Sequence, residues 1–313
     1  MQRRQWIVGT AALFALAGCL ASDDSDDEDD DDTDPTDDGD DLDPGVEDDD
    51  DDGTPPDDGN GDDDDGDETV QGEPIGYVAD SAIHQWAFTE RTDDVIEDAI
   101  GGANGIAIGD LENVSGDWRG GMAEYAPPES EAHVDVGDLE TVNDAVTNRA
   151  LTLFATIEPE EIVSDEAMTI FGAGGGESDW FEFRMNQSDG SATGQPVLFI
   201  RDNLGNTIHI AGVDSIETGS TSRLAVRLDG STAGDVTLFA NGDPIDTETI
   251  SDDELVGYLQ PAQPFGIFAS NPNDPTTIGT RRFFPGTIDN VVVCNAAVSD
   301  AQIAEDAEHV ESL

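Results

Sequence analysis

The chain of 313 residues contains no lysine, and its 11 basic residues, all arginine, stand against 73 aspartates and glutamates. The formal net charge of −62 excludes nucleic acid as a partner, because phosphate backbones require a basic protein surface. The same charge repels anionic lipid head groups. Self-repulsion on this scale destabilises a compact state at low ionic strength, whereas salt at about 1 M shortens the Debye length to about 3 Å. We therefore expect a protein adapted to high salt.

Long hydrophobic runs are scarce, and the apolar stretch at residues 6–17 is too short for a membrane-spanning helix, which needs about 20 residues. Because Arg3 and Arg4 precede it, the stretch has the pattern of an export signal. The arginine pair resembles a twin-arginine signal, and Leu-Ala-Gly-Cys19 resembles a lipobox, whose cysteine carries lipid after cleavage. We predict a signal peptide over residues 1–18 and a lipid anchor at Cys19, on the extracellular face of the cell membrane. The alternative is a secreted protein in which Cys19 occurs by chance.

Residues 19–74 contain almost no apolar and no aromatic side chains, and 29 of the 73 acidic residues lie within residues 21–70. Such a segment cannot bury enough surface to offset the entropy of ordering. We predict a disordered, lipid-anchored tether over residues 19–74, with a calcium-binding acidic segment as the alternative. The remaining 44 acidic residues lie after residue 70, against nine arginines, so the folded part is acidic too. Composition and signal together resemble halophilic archaeal surface lipoproteins.

Cysteine is the other scarce residue, since only Cys19 and Cys294 occur. With Cys19 carrying lipid, Cys294 has no partner, and we predict no intrachain disulfide. Cys294 follows three valines, which favours a buried strand position for a small hydrophobic residue over a reactive thiol.

From residue 75 onward, short β-rich runs alternate with Gly, Asp, Asn and Pro, and no long amphipathic helix interrupts them. Asn241-Gly242 predicts a hairpin turn, and Ser299 with Gln302 forms a capping box that begins a short C-terminal helix reaching about residue 310. One domain at residues 75–313 suits an all-β, two-sheet antiparallel jelly-roll sandwich better than an immunoglobulin domain. The predicted strands are 83–89, 132–136, 150–157, 168–171, 180–185, 197–201, 207–211, 223–228, 236–240, 265–268 and 286–295.

Several segments, in this order, resemble those of a laminin G-like, concanavalin A-like jelly-roll domain. The resemblance spans residues 83–303 and is most specific at residues 284–299, which look like the closing strand of that family. Members commonly have an aromatic residue at the position of Cys294, which is a departure that concerns local packing. The other segments that carry the resemblance are 84–88, 98–105, 121–125, 133–136, 153–159 and 236–242.

Asp289 is the most informative acidic residue of the predicted closing strand. Alternation places Ile288, Val292 and Cys294 on one face and Asp289, Val291 and Val293 on the other. A buried carboxylate requires a partner, which is either an arginine, Arg281 or Arg282, or a cation. The family resemblance implies a structural calcium site, with Asp98 and Asp289 as ligands completed by backbone carbonyls.

Jelly rolls of this type include glycoside hydrolases that work through two carboxylates. Glu177, Asp179 and Glu182 match the spacing of one form of their acidic triplet. However, glycines at 174–176 place Glu177 in a loop, and alternation separates Glu182 from the other two unless a bulge intervenes. None of the four histidines has the spacing of a catalytic triad. We expect no catalytic residues, with glycoside hydrolase activity as an alternative.

Binding is therefore the favoured function. Trp118 and Trp180 are candidates for stacking on sugars, and Asn113 and Asn186 lie in glycosylation sequons. We expect a non-catalytic binding or adhesion domain at the cell surface, for glycans or for a neighbouring surface protein. A structural cell-envelope component without a small ligand is the alternative.

The excess of acidic residues predicts that salt stabilises the domain. We expect the midpoint of thermal unfolding to rise as KCl increases from about 0.1 M to about 2 M, because the shorter Debye length screens carboxylate repulsion. Circular dichroism measures the midpoint, and a non-ionic osmolyte at matched osmolality serves as the control. Equal stabilisation by the osmolyte would contradict the electrostatic explanation.

Overall fold

The computed structural model describes residues 76–88, 91–116, 121–127, 131–163, 167–174, 179–186, 194–230, 235–250, 259, 264–270 and 283–312. The chain divides into two units, residues 1–63 and 64–313, and every described residue lies in the second. Several predicted positions lie outside the described residues, namely Cys19, Trp118, Glu177, Arg281 and Arg282.

The described residues form three short helices and seventeen strands. In chain order the elements are α1 (Gly76–Ser81), β1 (Ala82–Trp86), β2 (Arg91–Thr92), β3 (Val95–Ile96), β4 (Gly105–Ile108), β5 (Glu112–Gly116), β6 (Gly121–Ala126), β7 (His133–Gly137), α2 (Glu140–Thr147), β8 (Ala150–Pro159), β9 (Met168–Ala173), β10 (Trp180–Met185), β11 (Pro196–Arg201), β12 (Thr207–Ala211), β13 (Ser222–Asp229), β14 (Asp235–Ala240), β15 (Asp243–Thr249), β16 (Phe265–Ile267), β17 (Gly286–Cys294) and α3 (Asp300–Ser312).

The strands make two antiparallel sheets. One has eight strands in the order β15-β14-β13-β8-β17-β6-β5, with β1 paired beside β17. The other has nine strands in the order β12-β11-β10-β9-β16-β7-β4-β3-β2. The predicted all-β, two-sheet jelly-roll sandwich with a short C-terminal helix is confirmed.

The main core lies between the sheets, where alternate side chains of each strand point inward. From the eight-stranded sheet, Leu151 and Leu153 of β8 are fully buried. From the nine-stranded sheet, Phe181 and Phe183 of β10 enter the same cluster. Each fully buried side chain of this size contributes about 1.5–3 kcal/mol, so this interface is the main source of stability.

A second, smaller apolar cluster covers the outer face of the eight-stranded sheet. It joins Val78 of α1 and Ile303 of α3 to Phe154 and Phe239 of the sheet. Cys294 belongs to it and is fully buried, as the sequence predicts. Burial raises the pKa of the Cys294 thiol to about 11, so the thiol stays protonated and unreactive.

The alternation predicted for β17 is wrong beyond Asp289. Asn290 has a left-handed backbone with φ of +46°, and the pairing with β8 shifts register between Asp289 and Val292. This bulge moves the later side chains by one position. As a result Val291 and Val293 join the main core, whereas Val292 lies in the smaller cluster.

The local signals read from the sequence are otherwise confirmed. Asn241 and Gly242, with φ of +50° and +83°, form the turn between β14 and β15. The hydroxyl and amide of Ser299 both donate to the Gln302 side chain at the start of α3, at 2.7 and 3.1 Å. The sequence did not predict α2, because this helix has only two turns and no side-chain cap at Leu139. Among the described residues, no helix is long and apolar enough to cross a bilayer.

A buried ion pair fastens α3 to the eight-stranded sheet. Arg223 of β13 donates from Nε to Asp306 of α3 at 2.8 Å, and both side chains are 3% exposed. The same guanidinium donates to the carbonyl of Asn290 at 2.7 Å and lies over the ring of Phe154 at 5.2 Å. These contacts compensate a cation that would otherwise be costly to bury.

Arg223→Met should lower the free energy of unfolding by about 3–5 kcal/mol, because it leaves the Asp306 carboxylate buried without its cation. Arg227→Met is the matched control. Arg227 lies on the same strand over Phe239, but its acidic partner, Asp300, is 64% exposed. An exposed pair contributes about 0–1 kcal/mol. Denaturant unfolding measures both variants. Equal losses of unfolding free energy would show that the buried pair with Asp306 stabilises the domain no more than the exposed pair with Asp300.

Candidate functional site

The outer face of the nine-stranded sheet carries the candidate site. Along β10, Phe181 and Phe183 point into the main core, so alternation places Trp180, Glu182 and Arg184 on the outer face. Unbroken pairing of β10 with β11 keeps these three side chains in line.

Three aromatic rings cross this face from β10 to β12, and we call Trp180, Phe199 and His209 the aromatic strip. The Trp180 and Phe199 rings meet edge to face with centroids 5.9 Å apart, and Phe199 meets His209 at 6.1 Å. Trp180 and Phe199 are partly exposed, and His209 is exposed. The strip therefore presents a row of rings to solvent, each held by its neighbour.

Two arginines flank the strip. The Arg184 guanidinium lies over the Phe199 ring, 5.4 Å from its centroid. Arg201 pairs directly with Trp180 across the β10–β11 ladder and is partly exposed. In a chain with so few basic residues, this face places hydrogen-bond donors beside its rings.

Glu182 is fully buried beneath this surface. Its Oε1 accepts from the Thr169 hydroxyl at 2.6 Å and from the Ser270 hydroxyl at 2.9 Å. Its Oε2 accepts from Arg184 Nη1 at 2.5 Å. The carboxylate thus holds Arg184 against Phe199 and joins three strands or their ends.

The acidic triplet is not assembled within the described residues. Asp179 is buried and precedes β10, while Glu182 lies on the outer face of the strand. The β10 ladder has no bulge between Trp180 and Phe183, because its register shift comes only at Arg184. Asp179 and Glu182 therefore point to opposite sides, and Glu177 lies outside the described residues.

Asp98, predicted as a calcium ligand, is 4% exposed and fully engaged by donors. Oδ1 accepts from the amides of Gln85 and Gly101 at 2.9 Å. Oδ2 accepts from His84 Nδ1 at 2.7 Å and from the amide of Ala103 at 2.9 Å. The N–H groups occupy both oxygens and present positive charge to the position where a cation would bind.

These contacts do not fit calcium, which requires six to eight oxygen ligands with free lone pairs. Asp289 lies opposite Thr156 on the α3 side of the eight-stranded sheet. No cluster of three or more His, Cys, Asp or Glu side chains suited to a metal occurs in the described part of the chain. At Asp98 the imidazole and the amides supply the hydrogen bonds that compensate the buried carboxylate.

The two sequons differ in accessibility. Asn113 lies in β5 and is exposed. Asn186 is fully buried, and its Nδ2 donates to the carbonyl of Val163 at 2.8 Å. Burial of the Asn186 amide nitrogen argues against a glycan on the folded domain at this position, whereas Asn113 stays a prediction.

Sequence reasoning identified Trp180 but missed Phe199, His209 and Arg201. His209 was detectable, since it alternates with the buried Ile208 and Ile210 in β12. Phe199 was hidden because the residues around it in β11 are apolar on both faces. Only the ladder that sets Phe199 opposite His209 reveals the strip.

The pKa of Asp98 gives a test of its role. Burial acts to raise this pKa, but hydrogen bonds from His84 and from the amides of Gln85, Gly101 and Ala103 outweigh burial and hold it below 3.8. A lowered folded pKa means that the stabilisation is complete above pH 3.8 and is lost as the pH falls through the folded pKa.

Asp98→Asn should therefore lower the free energy of unfolding by about 1–3 kcal/mol at neutral pH. The difference in unfolding free energy between this variant and the wild type should become smaller as the pH falls below 3.8. Urea unfolding at several pH values measures it, with the exposed Asp138→Asn as control. A difference that stays constant down to acid pH would contradict the role of the ionised carboxylate.

Comparison with solved structures shows related folds at low identity. The binding domain of botulinum neurotoxin serotype C1 is 14% identical, with a TM-score of 0.55 over 74% of this chain and 53% of that chain. The binding domain of Paraclostridial Mosquitocidal Protein 1 is 14% identical, with a TM-score of 0.54 over 74% of this chain and 53% of that chain. A third structure is of botulinum neurotoxin type C, whose cell entry is described as dependent on interaction with two ganglioside molecules. It is 13% identical, with a TM-score of 0.52 over 75% of this chain and 52% of that chain. This chain spans about half the length of each, and at this identity the likeness shows the fold alone.

Comparison with curated proteins finds no match. A sequence profile of one family, described as the concanavalin A-like lectin/glucanases superfamily, matches residues 129–304. The matched segment starts ahead of β7, ends within α3 and includes all three strands of the aromatic strip. Because this match covers more than half of the sequence, the chain belongs to the concanavalin A-like lectin/glucanases superfamily.

Proposed function

We propose that the domain binds carbohydrate through the aromatic strip on the outer face of the nine-stranded sheet. The observation that carries the proposal is the row of partly exposed rings, Trp180, Phe199 and His209, beside the guanidinium of Arg201. Aromatic faces pack against the C–H groups of sugar rings, and guanidinium groups donate to hydroxyl or carboxylate oxygens. The strip offers both kinds of contact on one surface.

The rigidity of the strip supports the same function. Glu182 fixes Arg184 through a buried ion pair, and Arg184 in turn supports the Phe199 ring. A preorganised surface loses little conformational entropy when a ligand binds. The similar folds belong to binding domains, one of them from a toxin described with ganglioside molecules, which is consistent with a glycan partner.

We propose that binding is not followed by hydrolysis. Glycoside hydrolases need two carboxylates that face one cleft. Here three donors enclose Glu182, and Asp179 points away from it. The arrangement of β10 supports a binding surface better than an acid–base pair.

The cellular setting remains the proposal made from the sequence. We propose a lipid anchor at Cys19 and an acidic tether that displays the domain outside the cell, in a salt-adapted protein. Glycans or neighbouring surface proteins are then the available partners. Because hydrogen-bond donors saturate Asp98, we propose that binding does not require calcium at that position.

Trp180→Ala should weaken glycan binding at least about tenfold, because it removes the largest ring of the strip. A glycan array in high salt identifies the ligand, and titration calorimetry compares the variants. Tyr125→Ala is the control, since Tyr125 is a partly exposed aromatic residue of β6 in the other sheet.

A chelator in a parallel array should leave binding unchanged. Absence of binding to any glycan would overturn the proposal and favour a structural envelope component. Equal losses in Trp180→Ala and Tyr125→Ala would place the binding surface elsewhere. Thermal unfolding of both variants shows whether they are folded.

A further inference from the structure

A chain of hydrogen bonds links three residues that are far apart in the sequence. Asp98 Oδ2 lies 2.7 Å from His84 Nδ1, and His84 Nε2 lies 2.6 Å from Thr141 Oγ1. His84 lies on β1, Asp98 follows β3, and Thr141 lies in the first turn of α2. We call these residues the Asp98–His84–Thr141 relay.

The surroundings of Asp98 determine which atoms of the relay donate hydrogen bonds and which accept them. The carboxylate accepts from four backbone amides as well as from the imidazole, so it acts only as an acceptor. Nδ1 of His84 must then carry the hydrogen that it donates to Asp98. In the neutral imidazole Nε2 is left as an acceptor, and the Thr141 hydroxyl donates to it.

The imidazole is held in one orientation. It stacks on the Trp86 ring with centroids 5.4 Å apart and an interplanar angle of 12°. The backbone of Gly101 lies so close to it that a Cβ at this position would meet His84 Nδ1 at 2.2 Å. A fixed base with a fixed tautomer is what general-base activation of a hydroxyl requires.

Only the hydroxyl end of the relay is open to solvent. Asp98 and His84 are each 4% exposed, whereas Thr141 is exposed. Thr141 is the second residue of an eight-residue helix that has no side-chain cap, so the amides of Glu140 and Thr141 have no acceptor within the helix. Backbone amides at the positive end of a helix are donors of the kind that stabilise an oxyanion.

We propose that Thr141 is a nucleophile, activated by His84, that reacts with small carboxylic esters, and that Asp98 is its positioning residue. The Oγ1 of Thr141 forms a bond to the carbonyl carbon while its proton moves to His84 Nε2, and the carbonyl electron pair moves to oxygen. When the tetrahedral adduct collapses, the bond to the leaving alcohol breaks, and His84 protonates that alcohol.

Water then completes the reaction. His84 Nε2 takes a proton from water, whose oxygen attacks the acyl-Thr141 carbonyl. The bond between the acyl carbon and Oγ1 breaks, Oγ1 regains the proton from His84, and the carboxylic acid leaves. Ester and water supply all the atoms, so no cofactor or oxidant enters the balance. This activity goes beyond glycan binding, uses none of the residues of the aromatic strip, and can be tested separately.

The test uses the full chain in high salt with p-nitrophenyl acetate. We expect a burst of nitrophenolate and one acetyl group on Thr141, located by peptide mass spectrometry after acid quench. Thr141→Val should abolish the burst and the adduct, and Thr141→Ser should retain both. Thr147→Val is the matched control, because Thr147 is an exposed threonine at the other end of the same helix and should leave the burst unchanged.

His84→Gln should lower the acylation rate by about 100-fold, the size of a general-base contribution. Asp98→Asn should lower kcat with KM and burst amplitude unchanged in the molecules that fold. A purely structural role would instead lower the burst amplitude, which counts active molecules. If Asp98→Asn does not fold, the Thr141 and His84 variants decide the question.

Two results would overturn the proposal. One is a folded wild-type chain that shows neither a burst nor acetyl-Thr141, which would leave the relay as a structural connection between β1 and α2. The other is acetylation of Thr141 at the same rate in folded His84→Gln. Binding in the glycan array is independent of either result.

Discussion

Burial of one face of each sheet is the constraint on which the rest of the structure depends. Because side chains alternate, filling the space between the sheets with residues such as Leu153 and Phe183 forces their neighbours outward. Each sheet then has a second face whose polar and aromatic side chains need partners. The two outer faces meet this need differently. One is covered by the chain itself, and the other stays partly exposed.

The outer face of the eight-stranded sheet is covered by the chain itself. The helices α1 and α3 supply a small apolar cluster, and the ion pair between Arg223 and Asp306 fixes α3 in place. The outer face of the nine-stranded sheet keeps the rings of Trp180 and Phe199 partly exposed. A surface that is rigid and incompletely covered is suited to a ligand.

Three arginines among the described residues combine a ring contact with an ion pair. Arg184, Arg223 and Arg227 each lie over a phenylalanine ring, at 5.2–5.4 Å, and each pairs with an acidic side chain. In a chain with so large an acidic excess, Arg184 and Arg223 compensate carboxylates that are buried from water, whereas the acidic partner of Arg227 is exposed. The exposed carboxylates are instead hydrated by water, and salt screens the repulsion between them.

Asp98 shows how a family-based expectation and the local chemistry diverge. The resemblance implied a cation at this acid, but His84 and the surrounding amides donate hydrogen bonds to both of its oxygens. The same contacts orient His84 toward Thr141. The buried carboxylate therefore fixes the imidazole and forms one end of the relay.

The sequence by itself determined the elements whose causes are local. Period-two alternation predicted β1, β7–β14, β16 and β17 but not β2–β6 or β15, the positive φ tolerated by Asn241 and Gly242 predicted a hairpin, and Ser299 predicted the start of α3. The burial of Cys294 followed from its apolar neighbours. Each of these features depends on residues within a few positions of one another.

Only the tertiary structure decided the features that join distant residues. The bulge at Asn290 reversed the predicted faces of β17, and the ladders of β10, β11 and β12 brought Trp180, Phe199 and His209 into one strip. His84 and Thr141, 57 positions apart, meet because the path of the chain brings the first turn of α2 next to β1. The physical reason is that register and loop path set these distances, and neither is encoded in a local pattern.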